Sequence, residues 1–109
     1  MFIDDCIKGT KKIFESNCRE VLNIGSEEQV SINQMIKVIE KIGNYKVEKN
    51  YQLDKPKGVR GRSSNNDLVR TKLGWDCEIS LETGLRVTYN WIEKEISKKL
   101  NNNKFTIKY

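Results

Sequence analysis

Apolar positions fall into several stretches at helical spacing. Cys6, Ile7, Thr10, Ile13 and Phe14 recur three and four residues apart, which predicts a helix ended by Ser16-Asn17. Ile32, Met35, Ile36 and Ile39 form a second stripe. Ser31 with Gln34 three residues on reads as a capping box at its start, and Gly43-Asn44 as its stop. A short helix is expected over Leu68 to Leu73, closed by Gly74. Leu81, Leu85, Ile92 and Ile96, behind Ser80 and Glu82, predict a final long amphipathic helix.

Between these stripes the pattern changes. Residues 2–4 read as the end of a strand, after which Asp4 and Asp5 suit a helix amino terminus, where carboxylates meet orphan amide hydrogens. Val21-Leu22-Asn23-Ile24-Gly25 is a short apolar run closed by glycine and reads as a buried strand. Tyr45 to Leu53 alternates loosely and reads as another, broken by Asp54-Lys55-Pro56-Lys57-Gly58. Residues 58–66 are a polar, glycine-bearing loop. The expected fold is α/β, with about four helices and two to three short strands, too few for a complete doubly wound sheet. Residues 1–100 form one region, and residues 101–109 a polar tail.

Composition narrows the picture. Of 109 residues, 37% are hydrophobic and 32% charged, so the core is modest. A chain this short buries roughly two-thirds of its unfolded surface, which leaves stability marginal. The net charge of +5 is spread along the chain and alternates with glutamate, as in Glu93-Lys94-Glu95. Only Lys55 to Arg62 concentrates positive charge beside glycine. Aromatic residues do not interleave with Arg60 and Arg62, so nucleic acid is not the expected partner. Three cysteines without a CxxC spacing, and no histidine, leave no zinc set and suggest reduced thiols in the cytoplasm. Met1 leads straight into Phe2-Ile3-Asp4-Asp5, so no signal peptide is read, and no apolar run suits a bilayer.

Candidate chemistry is sparse. No G-x-G-x-x-G, P-loop or G-x-S-x-G pattern occurs. Tyr45-Lys46-Val47-Glu48-Lys49 matches Y-x-x-x-K in spacing alone. On the strand expected there, the two side chains lie too far apart to pair. Asp4, Asp5 and Cys6 form a polar cluster that helix capping accounts for. Trp75 reads as a packing anchor. The best site is Gly58-Val59-Arg60-Gly61-Arg62-Ser63-Ser64-Asn65-Asn66. Its glycines let backbone approach a ligand, its arginines offer forked donors to phosphate oxygens, and Ser and Asn add neutral donors.

These residues carry a resemblance. Phe2-Ile3-Asp4-Asp5-Cys6, Leu22-Asn23-Ile24-Gly25-Ser26 and Leu73-Gly74-Trp75 resemble segments of the extended short-chain dehydrogenase/reductases, the NAD-dependent epimerase/dehydratase family. Gly58-Val59-Arg60-Gly61-Arg62, Ser64-Asn65-Asn66, Gly84-Leu85-Arg86-Val87-Thr88-Tyr89 and Trp91-Ile92 resemble the branch acting on a GDP-mannose-type nucleotide sugar. The likeness runs from about residue 2 to about residue 98. It implies a carboxy-terminal substrate-binding lobe of a larger isomerase, whose Rossmann domain lies amino-terminal and binds NAD.

In that family a Tyr/Lys pair oxidises the sugar at C4, and a Cys/Lys pair exchanges protons at C3 and C5. All four precede the region present here, so the resemblance implies no catalytic and no NAD-binding residue in this chain, and Cys6 is not the catalytic cysteine. The substrate contact carried over falls on Arg62, with Arg60 and Asn66 as secondary candidates. The complete enzyme is expected to be a homodimer, and the isolated chain to be inactive. Two other functions stand beside this one: a stand-alone basic module for phosphate or nucleic acid, and a structural remnant without activity.

Overall fold

Hydrogen-bonded helix accounts for all the regular structure in the computed structural model, which describes residues 1–101. The helices are α1 (Ile3–Glu15), α2 (Ile32–Gly43), α3 (Asp67–Leu73) and α4 (Leu81–Asn101). Of the expected tail at residues 101–109, Asn101 ends α4, and residues 102–109 lie outside the described residues.

Local chemistry sets most helix ends. At α2 the capping box is complete: Ser31 Oγ accepts from the Gln34 N–H at 3.2 Å, and Gln34 Oε1 accepts from the Ser31 N–H at 2.7 Å. Asn44, with φ 54°, ends it in the left-handed conformation that asparagine tolerates. Gly74, with φ 57°, ends α3 in the same way, where a Cβ would be strained. α1 has no side-chain cap, but Asp4 and Asp5 lie in its first turn, facing the positive end of the helix dipole. At the start of α4, Ser80 Oγ accepts from the Thr83 N–H at 3.2 Å.

The expected strands are absent among the described residues. Residues 2–4 are not a strand end, because α1 already begins at Ile3. Residues 21–25 and 45–53 run without strand pairing. A strand exists only where a neighbour supplies a ladder of amides and carbonyls. Here the bonds are isolated: Ser64 N–H donates to Ser26 O at 3.1 Å, and Val47 N–H donates to the Glu40 side chain at 3.1 Å. The α/β expectation is therefore corrected to four helices joined by irregular segments.

Burial is thin. Val69, 1% exposed, and Trp75, 7% exposed, are the buried apolar side chains among the described residues. Trp75 lies flat against α1 at Gly9, where an added Cβ would sit 2.8 Å from Trp75 Cζ2. Asp5, fully buried, accepts the Ile79 N–H on Oδ2 at 2.9 Å, while its Oδ1 has no partner. Lys8 and Glu78 add an exposed ion pair at 3.2 Å between the same two segments. α2 packs on α4, and Lys41 to Glu82 at 3.1 Å bridges them.

The chain stays open. Its radius of gyration is 18.3 Å, whereas a compact chain of this length would have roughly 13 Å. Ile3, Ile7 and Phe14 share one side of α1, and Phe14 is 89% exposed. No described helix is long and apolar enough to cross a membrane.

The contact between Gly9 and Trp75 gives a stability prediction. Gly9→Ala forces the ring or the helix to shift at one of the two buried apolar anchors. Overpacking of this kind costs roughly 1–3 kcal/mol. It outweighs the ~1 kcal/mol that alanine gains in helix propensity. The thermal midpoint of the chain, followed by far-UV circular dichroism, should fall; an unchanged or raised midpoint would show that Trp75 is not held against α1.

Candidate functional site

The arginine loop is pinned at its carboxy-terminal end. Ser64 N–H donates to Ser26 O at 3.1 Å, and Ser64 Oγ donates to Asn66 Oδ1 at 2.7 Å. Gly25 makes the approach possible, since a Cβ there would lie 2.7 Å from Ser64 Cβ. Residues 62–65 thereby line an open polar cleft together with Asn23, Ser26 and Glu28. Glu28 is itself oriented, because its Oε2 accepts the Leu81 N–H at 2.8 Å.

Behind the cleft lies a knot of charge. Arg70 sits on α3 with its guanidinium directed at three carboxylates: Nε donates to Asp76 Oδ2 at 2.6 Å, Nη1 to Asp67 Oδ1 at 2.8 Å, and Nη2 pairs with Glu27 Oε2. The second oxygens of Glu27 and Asp76 converge on Asn66. Glu27 Oε1 accepts the Asn66 N–H at 3.0 Å, and Asp76 Oδ1 accepts from Asn66 Nδ2 at 2.9 Å. Asn66 Nδ2 also donates to Gly25 O at 2.8 Å, so this fully buried amide has every polar atom engaged.

The knot shifts its members' protonation. Hydrogen bonds from Arg70 first, then from Asn66 and the Cys77 N–H, hold the Asp76 carboxyl down at about 2. Glu27 is lowered by Arg70 and by the Asn66 N–H, and Arg70 is raised by the three carboxylates, Asp76 foremost. Next to the knot, Cys77 Sγ donates to Gly25 O at 2.9 Å, and burial pushes the thiol up, away from nucleophilic thiolate.

The residues singled out from the sequence are distributed as follows. Arg62 lies on the cleft wall, exposed, and makes no hydrogen bond or ion pair among the described residues. Arg60 is exposed on the loop and does not border the cleft. Asn66 is turned inward to the knot. Tyr45 and Lys49 lie beyond the end of α2 on non-helical backbone. Asp5 ties α1 to the segment before α4. Sequence reasoning missed Glu27, Arg70 and Asp76. The i,i+3 spacing of Asp67 and Arg70 was a readable signal; Glu27 is 43 positions from Arg70 and left none.

Comparison with known proteins follows the same residues. No family model matches the chain. It is 42% identical over 98 residues to the GDP-mannose 3,5-epimerase of Arabidopsis thaliana, covering 90% of this chain and 26% of that protein. GDP-mannose 3,5-epimerase 1 of Oryza sativa subsp. indica matches with the same identity and coverage. UDP-glucuronate 4-epimerase of Thermodesulfobacterium geofontis is 30% identical over 96 residues, covering 87% of this chain and 30% of that protein. The chain is thus homologous to nucleotide-sugar epimerases of the extended short-chain dehydrogenase/reductase type. Within that class its likeness to the GDP-mannose 3,5-epimerases is the stronger, at 42% against 30%. The chain spans about a quarter of the length of the GDP-mannose 3,5-epimerases it matches, a share that fits a fragment.

Acid titration checks the knot. Asp76 and Glu27 have folded values below their unfolded ones, so their contribution is complete above the unfolded carboxylate range near 4. It is lost as pH falls through the folded values, about 2 for Asp76. The thermal midpoint should therefore drop between about pH 4 and pH 2. Asp76→Asn should flatten that drop; an identical acid profile in the variant would show that the Arg70–Asp76 contact is not formed in solution.

Proposed function

We propose that the chain is the nucleotide-diphosphate-holding part of an NAD-dependent nucleotide-sugar epimerase, acting on a GDP-mannose-type substrate. The observation that carries this reading is Arg62: an unpaired guanidinium on the wall of a polar cleft, on a loop fixed by internal hydrogen bonds. A planar fork of donors matches two phosphate oxygens at once. Ser63 and Asn65 add neutral donors beside it, and Glu28, which also lines the cleft, offers an acceptor that suits sugar or base hydrogens. Arg60 extends the positive field at the loop, and Asn66 supports the loop from behind. Homology to enzymes that handle GDP-mannose agrees with this chemistry.

NAD does not fit the residues present. Its pyrophosphate needs a glycine turn that opens a helix with free amides. α1 instead places Asp4 and Asp5 in its first turn, and α2 closes its own amino terminus with the capping box. At α4, Ser80 and Glu28 occupy the first amides. Cofactor binding and the redox step would belong to a separate Rossmann domain. The apolar side of α1 that carries Ile3, Ile7 and Phe14 gives such a domain a face to lean on. The chain alone should not turn over substrate.

Residues 1–100 would be the substrate-holding region in this scheme. The test is a titration of the 109-residue chain with GDP, followed by backbone NMR. Resonances of Arg62, Ser63 and Asn65 should shift together and saturate. Arg62→Ala should weaken binding about tenfold to a hundredfold, the loss of one charge-assisted contact. Binding that ignores the substitution, or no shifts at millimolar GDP, would sink the assignment.

A further inference from the structure

We propose that Arg70 is a positioning residue for the arginine loop: it holds Arg62 at the cleft through Glu27, Asp76 and Asn66 without touching a ligand itself. The inference rests on reading the cleft as a nucleotide diphosphate site.

Arg70 ties together, by charge, three segments that Asn66 and Cys77 join by neutral hydrogen bonds. Glu27 precedes α2, Asp67 opens α3, and Asp76 follows it. Only a fork with donors in three directions reaches all of them, and lysine has no such geometry. With Arg70 in place, Glu27 and Asp76 each turn a second oxygen to Asn66. Asn66 then offers Oδ1 to the Ser64 hydroxyl at 2.7 Å, two residues from Arg62. Asn66 has no exposed surface, so water cannot replace a partner it loses. Without the Arg70 fork, Glu27 and Asp76 lose the donors that turn their second oxygens to this buried amide. The loop end then loses the contacts that set its direction.

The knot is not the only hold on α3. Val69 is buried on α3 itself, Gly74 closes the helix, and Trp75 is seated on Gly9. Loss of Arg70 should therefore loosen the loop while the helices stay folded.

The experiment uses the full 109-residue chain with GDP as the probe and Arg70→Lys as the variant. Amide exchange at Ser64 and Asn66 should accelerate by about tenfold or more, with exchange in α2 and α4 unchanged. The dissociation constant for GDP should rise by about tenfold. Asn66→Asp should do the same, and the double variant should bind no more weakly than either single one, because the two residues act in series. GDP affinity at the unsubstituted level in Arg70→Lys overturns the proposal, as does equal loss of protection in the helices and the loop. If Arg62→Ala weakens binding and Arg70→Lys does not, the positioning role alone is lost. If the unsubstituted chain does not bind GDP, the cleft reading fails and this inference with it.

Discussion

Scarcity of apolar burial is the constraint on which everything else in this chain depends. Only Val69 and Trp75 are buried apolar side chains among the described residues. A core so small cannot fix irregular segments by packing, since each buried side chain contributes only about 1.5–3 kcal/mol. Position is set instead by directional contacts. Asp5 takes the Ile79 N–H, Glu28 takes the Leu81 N–H, and Asn66 gathers Gly25, Glu27, Ser64 and Asp76. Each contact joins segments far apart in sequence, or shapes the turn between them.

Such contacts fix the backbone of an irregular loop beside an exposed arginine. Arg62 has no secondary structure of its own to orient it. Two residues on, Ser64 is held by Ser26 and by Asn66. Gly25 permits the close approach that both contacts need. The cleft combines a free cation with a carboxylate, Glu28, already oriented by α4. On the proposed function, anionic oxygens of a phosphorylated sugar would meet the cation and its hydroxyl donors the carboxylate.

What was legible in the sequence was what is local. The capping box of Ser31 and Gln34, the stop at Asn44 and the Gly74 closure are decided within four residues, and each forms as expected. Trp75 as an anchor was readable from its size and apolarity. The strands failed because pairing is a property of two segments, and the apolar run at 21–25 carries no information about whether a neighbour exists. The arginine loop stood out by composition, two arginines beside two glycines in a polar run. The knot behind it did not stand out, because Glu27, Arg70 and Asp76 look like ordinary surface charges until the fold brings them together.

A scaffold held by polar contacts rather than by burial has a thermodynamic character of its own. Heat capacity change and denaturant sensitivity both scale with the surface exposed on unfolding. With so few apolar side chains buried, both are expected to be small, which would make stability vary weakly with temperature and broaden the unfolding transition. Rigidity at the cleft then coexists with softness elsewhere. The geometry around Arg62 is governed by the protonation and pairing of a few side chains, more than by the melting of the chain as a whole.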